Sequence, residues 1–227
     1  MQKKDAVIQA LKAALPVMFG YVGIGIPCGI MEQQIGMNAF MAFVMSMTFY
    51  SGAGQFMIPS MWLASTPLAH IIASVSFVNT RQLLYSAAFS PYFEKVAKSL
   101  TFLFSATVTD ESFGVNMAKY QEGDWSAGRA TLVNLFSMTS WGISNALGVL
   151  IGSALSIPTA IAAFAMTSIF ICLLMGQKAS TENIFVATAA FLAVCVLKLI
   201  GFTGSAILLG ALFGVGAGLV LMAVKKQ

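Results

Sequence analysis

The stretch YSGAGQFM, residues 50 to 57, interrupts a long apolar segment with a serine, two glycines and a glutamine. Glycine inside a helix is destabilising by about 1 kcal/mol relative to alanine, and hydrocarbon offers no partner to a glutamine amide. Such sequence is tolerated at membrane depth where it packs on protein or lines a wet cavity. We therefore predict that Ser51 to Gln55 form a non-helical break facing a cavity. Close packing of helices around the glycines is the alternative.

The composition around this stretch is typical of a membrane protein. Of the 227 residues, 58% are hydrophobic and 9% are charged, whereas soluble domains have about 25% charged residues. No Asp, Glu, Lys or Arg occurs from Gln33 to Thr80 or from Ala130 to Gln177, and each stretch can hold two spans of ~20 residues. The sequence predicts an all-α, polytopic integral membrane protein, because barrel strands would alternate over about 10 residues.

Eight apolar segments predict one transmembrane domain over residues 1–227, with seven to eight helices that are broken in the first half. They cover approximately residues 13–32, 38–64, 67–90, 99–118, 130–152, 158–175, 183–200 and 202–223. Eight spans with both termini in the cytoplasm keep eight basic residues inside and only Lys95 and Lys98 outside. A re-entrant second segment would move five of the eight outside. We therefore expect a multi-pass protein of the cytoplasmic (inner) membrane.

Soluble enzyme chemistry and nucleic-acid binding are both disfavoured. The net charge of +4 arises largely from lysines at the chain ends, where they suit an anionic lipid surface. Cys28, Cys172 and Cys195 lie in apolar segments, with spacing that fits neither a disulfide framework nor a metal site. Nucleotide-binding, zinc-protease and hydrolase motifs do not occur. We expect no cofactor, and any transport would draw on an ion or substrate gradient.

One arginine is the main candidate for chemistry in the membrane. Arg81 is the only Arg, Lys, Asp or Glu of the third segment, and an arginine at a span centre costs at least ~2.5 kcal/mol. If the third and fourth segments form a hairpin turning near residues 92–98, Arg81 lies at about the depth of Asp110 and Glu111. We predict that one acid pairs with Arg81 and the other is free to bind a proton. A fixed structural pair, or solvated acids, remain alternatives.

Small residues at four-residue spacing predict tight helix crossings. They form three sets: Gly25 with Gly29, Gly148 with Gly152, and Gly210 with Gly214 and Gly218.

Two motifs resemble a known family. YSGAGQF (residues 50–56), followed by NTRQLLYSAAFSP (residues 79–91), is similar to signatures of AzlC-like large subunits of branched-chain amino-acid exporters, and TDE (residues 109–111) also matches. The resemblance runs from Pro16 through the fifth segment. Tyr50 stands where phenylalanine is common in the family, and Gln82 stands where histidine is common, which argues against a titrating histidine there.

The resemblance implies export of valine, leucine and isoleucine, often with methionine, by a secondary transporter that works with a small AzlD-like membrane subunit. An amino-acid zwitterion needs an anion-binding group, a cation-binding group and an apolar pocket. The candidate substrate-binding residues are Ser51, Gly52, Gly54, Gln55, Asn79 and Arg81, and the candidate proton-coupling residues are Asp110 and Glu111. A channel for a small solute, or an intramembrane enzyme or assembly factor using the two acids, is the alternative.

Overall fold

The computed structural model describes residues 2–155, 180–201 and 206–225, with isolated positions between 158 and 175. All regular elements in these residues are helices, which confirms the predicted all-α membrane fold. The helices are α1 (Gln2–Gln34), α2 (Ala39–Thr48), α3 (Gly52–Leu63), α4 (Leu68–Ala88), α5 (Ser90–Phe93), α6 (Lys98–Thr107), α7 (Asp110–Glu122), α8 (Ala127–Ala154), α9 (Thr181–Leu199) and α10 (Ala206–Lys225).

Three of the described helices are long and apolar enough to cross a bilayer: Lys4–Gln34, Ala127–Ala154 and Thr181–Leu199. The second predicted segment is instead the pair α2 and α3, and the fourth is the pair α6 and α7. Each of these half-helices has 10 to 13 residues, about half of what a span needs. Most of the sixth predicted segment, Cys172 included, lies outside the described residues.

The break in the second segment is present, but it lies earlier than predicted. Phe49, Tyr50 and Ser51 separate α2 from α3, whereas Gly52 to Gln55 form the first turn of α3. Ser51 starts this helix because its Oγ accepts a hydrogen bond from the Gly54 amide (3.1 Å) and its carbonyl accepts one from the Gln55 amide (2.8 Å). The prediction of non-helical backbone is therefore wrong for Gly52 to Gln55, since this cap outweighs the low helix propensity of glycine.

A tight crossing of α1 and α8 is the main scaffold around the breaks. A methyl group added to Gly29 would lie 2.0 Å from the Asn145 carbonyl oxygen, and one added to Gly148 would lie 2.2 Å from the Ile26 carbonyl oxygen. The backbones are in direct contact, as the small-residue spacing predicts. This crossing holds the two longest helices of the described residues against each other.

The chain divides into two compact units. The first contains Met1–Ser60 and Val78–Thr167, and all eight predicted site residues lie in it. The second contains Met61–Phe77 and Ser168–Gln227, and in it α9 and α10 run antiparallel. Gly210, Gly214 and Gly218 face Val194, Ala190 and Val186 respectively, so the third predicted set of small residues also forms a tight crossing. That residues 1–227 form one transporter domain stays a prediction.

Candidate functional site

Two helix breaks lie side by side in the first unit, and Tyr21 of α1 joins them. The first break holds Tyr50, whose hydroxyl donates to the Tyr21 hydroxyl (3.3 Å). The second break, Val108 and Thr109, separates α6 from α7, and Thr109 Oγ1 lies 2.8 Å from the Tyr21 hydroxyl. All three linking side chains are buried. The fourth predicted segment, about residues 99–118, is therefore two helices, and this second break adds to the breaks that the sequence located.

Polar side chains from neighbouring helices hold the backbone of both breaks. At the first, Gln82 Nε2 of α4 donates to the Tyr50 carbonyl oxygen (3.2 Å). At the second, Asn134 Nδ2 of α8 donates to the Phe104 carbonyl oxygen near the end of α6 (3.3 Å). Carbonyls freed by a helix break need such donors, because hydrocarbon supplies none. The amides of Gln82 and Asn134 therefore make the breaks compatible with the membrane.

The first break brings two predicted site residues together. Ser51 Oγ donates to Asn79 Oδ1 of α4 at 2.6 Å. Gly52, the next residue, begins α3 and faces the Trp141 ring, 3.6 Å from where a methyl group would lie. The start of α3, with its partial positive charge, therefore lies close to Asn79 of α4.

The expected ion pair between the third and fourth segments is present. Arg81 NH1 lies 2.8 Å from Asp110 Oδ2, and the Tyr85 hydroxyl donates to Asp110 Oδ1. Asp110 is the first residue of α7, where the helix dipole stabilises a carboxylate. The arginine and aspartate side chains remain 30% and 20% exposed, so the pair is not sealed inside the protein.

Glu111 has a different environment from its neighbour Asp110. It forms no ion pair with the described residues, and its Oε2 accepts a hydrogen bond from the Tyr21 hydroxyl at 2.8 Å. Asp110 is thus the acid that pairs with Arg81, as expected of one of the two. Glu111 is not wholly free, however, because it belongs to the tyrosine bridge between the breaks.

Gln55 points away from this site into a second polar cluster, which we call the Glu32 cluster (Glu32, Ser46, Gln55 and Trp141). Gln55 Nε2 donates to Glu32 Oε1 and to Ser46 Oγ, both at 2.9 Å, and Gln55 Oε1 accepts from Trp141 Nε1 at 2.6 Å. Gln55 is fully buried. The expectation that it faces a cavity is therefore not met in this conformation, because protein groups take up its amide.

Sequence reasoning missed three contributors: Glu32, Tyr21 and the second break. Glu32 follows a run of α1 without Asp, Glu, Lys or Arg that begins after Lys12, and this isolation was the available signal. The second break also had a signal, since Thr109 and Ser112 form a capping box, and the two residues between them are acids in the first turn of α7. Among the described residues, no group of three or more His, Cys, Asp or Glu side chains could hold a metal ion.

Comparison with known proteins places these residues in a family context. The sequence profile of the AzlC protein family matches residues 16–155, a range that includes all the site residues described above. No solved structure gives a significant match to the chain.

Several curated proteins are similar to this chain over most of their length. An uncharacterized membrane protein of Helicobacter pylori is 30% identical over 181 residues, covering 78% of this chain and 79% of its own. The branched-chain amino acid transport protein AzlC of Bacillus subtilis is 24% identical over 220 residues, covering 95% and 86%. An uncharacterized membrane protein of Archaeoglobus fulgidus is 23% identical over 217 residues, covering 94% of each chain.

Proposed function

The chain belongs to the AzlC family and is a membrane transport protein, and we propose that it exports branched-chain amino acids from the cytoplasm as a proton-coupled secondary transporter. The named Bacillus relative supports this substrate class, since it is described as a branched-chain amino acid transport protein. A small AzlD-like membrane subunit completes the proposal. The family match supports a transporter rather than an enzyme.

The Arg81–Asp110 pair between the two helix breaks is the observation that carries this proposal. An α-amino acid at neutral pH presents one carboxylate and one ammonium group on the same carbon. Arg81 offers a guanidinium for the carboxylate and Asp110 a carboxylate for the ammonium, already 2.8 Å apart. A bound zwitterion would insert between them, so that four charges form two pairs and none is left unpaired.

This exchange of partners explains how the site can be stable when it is empty. An isolated arginine or aspartate in the membrane costs at least ~2.5 kcal/mol, but in the absence of substrate each neutralises the other. Substrate replaces one favourable pair with two, so binding need not create a buried charge. Because charges are excluded from lipid, we propose that the exposed part of the pair faces a water-filled cavity.

The first helix break supplies neutral groups for the same substrate. Ser51 Oγ and Asn79 Oδ1 form a hydrogen-bonded pair close in sequence to the start of α3 at Gly52, where backbone amides and the helix dipole favour a carboxylate. We propose that Ser51, Gly52, Asn79 and Arg81 contact the substrate. Gly54 and Gln55 hold these substrate-contacting residues in place. Gly54 packs on Phe49 and Ser51, and Gln55 anchors α3 in the Glu32 cluster.

The proposed orientation has both termini in the cytoplasm. Lys12 of α1 and Lys119 of α7 line one cavity together with Glu122, Asp124 and Trp125 at the α7–α8 turn. The start of α1 and this turn therefore lie at the same end of the first unit, which requires an even number of crossings between them. A re-entrant second segment alone would make that number odd.

Counterflow in proteoliposomes tests the proposed function. Vesicles loaded with unlabelled valine should accumulate labelled valine transiently and saturably, with leucine, isoleucine and methionine competing and lysine not competing. The assay is run with and without a co-expressed AzlD-like subunit. Arg81→Ala should abolish counterflow, whereas Arg129→Gln, which removes an arginine paired with Asp124 at the α7–α8 turn, should not. Linear, unsaturable flux without counterflow would instead identify a channel.

A further inference from the structure

No member of the Glu32 cluster is proposed to contact the substrate, yet the cluster contains a charged residue type in the interior of the protein. Glu32, Ser46 and Gln55 are 0% exposed and Trp141 is 1% exposed. The cluster joins four helices, because its members come from α1, α2, α3 and α8. Its hydrogen bonds satisfy both ends of the Gln55 amide.

One atom of this cluster stands out because it has no partner among the described residues. Glu32 Oε1 accepts from Gln55, but Glu32 Oε2 is buried and forms no hydrogen bond with the part of the chain that the structure describes. No ion pair of the described residues includes Glu32. An ionised carboxylate with an unpaired, desolvated oxygen is strongly unfavourable, whereas a protonated carboxyl has no net charge to solvate.

The helices around the cluster offer no charge that could compensate an ionised Glu32. Neither α2 nor α3 contains an Asp, Glu, Lys, Arg or His. The only such residue of α8 is Arg129, which pairs with Asp124 and lies about 18 Å along the helix from Trp141 at 1.5 Å per residue. On α1, the titratable neighbour is the buried thiol of Cys28, one turn earlier.

From this geometry we infer that Glu32 is protonated in this conformation and is the binding site of the coupling proton. This rests on the proposed function, which requires a site where a proton binds and leaves. The step is a proton transfer alone: the Glu32 O–H bond breaks, the proton passes to water, and the carboxylate keeps the electron pair. Before this transfer, Oε1 is the carbonyl oxygen that accepts from Gln55, and Oε2 carries the proton.

The other two acids are less suited to this role. Asp110 is paired with Arg81, and both Asp110 and Glu111 lie in the first turn of α7, beside the backbone amides that begin the helix. Glu111 also accepts a hydrogen bond from Tyr21. Of the three acids, Glu32 has neither a cation nor a helix start beside it, so it is the one whose neutral form this packing favours.

Gln55 connects the proton to the substrate site. Its side chain holds Glu32, while its backbone amide donates to the Ser51 carbonyl oxygen in the first break. Ser51 in turn donates to Asn79. Loss of the proton leaves a buried carboxylate, which is relieved only in a conformation that admits water to Glu32. Protonation thus selects between conformations by its differential binding, and α3 is the element both sites share.

Glu32→Gln is the decisive variant, because it keeps the shape of the side chain and cannot release a proton. In proteoliposomes we expect Glu32→Gln to retain valine counterflow without a pH gradient and to lose accumulation driven by a pH gradient. The exposed Glu94→Gln is the matched control and should retain both. Glu111→Gln should also retain gradient-driven accumulation. Gradient-driven accumulation by Glu32→Gln at the wild-type level would overturn the inference and leave Glu32 a packing residue.

Infrared spectroscopy tests the protonation directly and does not depend on transport. Wild-type protein at neutral pH should show the carbonyl band of a protonated carboxylic acid, and the band should be absent from Glu32→Gln and present in Glu94→Gln. Absence of the band from the wild type overturns the inference whatever the variants do. If the wild type shows the band but no counterflow, the proposed function fails while the protonated Glu32 stands. If counterflow occurs but a pH gradient drives no accumulation, export stands and the coupling role of Glu32 fails.

Discussion

Gly29→Ala tests the scaffold on which both polar sites depend. The added methyl group would lie 2.0 Å from the Asn145 carbonyl oxygen, 2.8 Å from the Asn145 carbonyl carbon and 2.9 Å from the Gly148 Cα. All three are backbone atoms, so no side chain can rotate away. An ordinary contact needs 3.4 Å or more between such atoms, so α1 and α8 must separate by more than about 1 Å to reach it.

The expected cost is large for a single methyl group. Overpacking a well-packed interior typically costs 1–3 kcal/mol, occasionally more, and here the strain falls on backbone. Gly20→Ala on the same helix is the matched control, because nothing lies within 4 Å of its added methyl group. Alanine in place of glycine favours the helix by about 1 kcal/mol. Because both variants gain this helix propensity, it cancels between them, and they should differ by the overpacking cost of about 1–3 kcal/mol in the free energy of unfolding.

The assay is reversible unfolding in detergent or bicelles, read as the free energy of unfolding of each variant against the wild type. Gly29→Ala should be strongly destabilised and Gly20→Ala should be equal to the wild type or more stable. Counterflow should fall with Gly29→Ala as well, because α1 carries both Tyr21 and Glu32. Wild-type stability of Gly29→Ala would refute the direct backbone contact of α1 with α8.

Four further outcomes follow from the site. Gly54→Ala should lower counterflow and membrane yield more than Gly52→Ala does. The methyl group added to Gly54 would lie 2.8 Å from the Phe49 ring and from Ser51 Oγ, whereas the one added to Gly52 would make an ordinary contact of 3.6 Å with the Trp141 ring. Asn134→Val should destabilise the second break by about 1–3 kcal/mol, since the Phe104 carbonyl loses a buried donor. The double variant Arg81→Gln, Asp110→Asn should insert normally but lack counterflow, and normal counterflow would reduce the pair to a structural role. Arg81→Ala alone should lower the free energy of unfolding by less than the ~3–5 kcal/mol of a fully buried pair, because both side chains are partly exposed. A cysteine at Lys95 should react with an impermeant reagent added outside and one at Lys119 should not, and the reverse pattern would contradict the proposed orientation.

The ion pair could be predicted because it depended on local chain geometry. Two helices joined by a short turn place residues equally distant from the turn at equal depth, and Arg81 had Asp110 and Glu111 as acids in reach. The α1–α8 crossing was predicted only in part. The spacing of Gly25 and Gly29 showed that some backbone must approach closely, but contact with Gly148 depends on packing across more than 100 residues.

The first break was misplaced for a physical reason. Helix propensity marks glycine as the weak point, yet the chain leaves α2 at Phe49 because Ser51 caps α3 and Trp141 packs over Gly52. Trp141 is 86 residues from Gln55, and its Nε1 donates to the side-chain Oε1 of that glutamine. No local pattern contains that contact. The same holds for Glu32, whose hydrogen-bond donor Gln55 lies 23 residues further along the chain.

Helix α1, like α3, contacts both the helix breaks of the substrate site and the Glu32 cluster, and its position suggests how the two sites communicate. Tyr21 touches the second break at Thr109 and Glu111 and the first at Tyr50, while Glu32, three turns later, holds Gln55 of α3. The backbones of α1 and α8 are in direct contact at Gly29 and Gly148, so we expect these two helices to move as one body. The half-helices α3 and α7 each begin at a break and are held to α1 by side-chain hydrogen bonds. Relative movement should therefore occur at the breaks, where hydrogen bonds are exchanged, and not at the crossing, where backbones would have to separate.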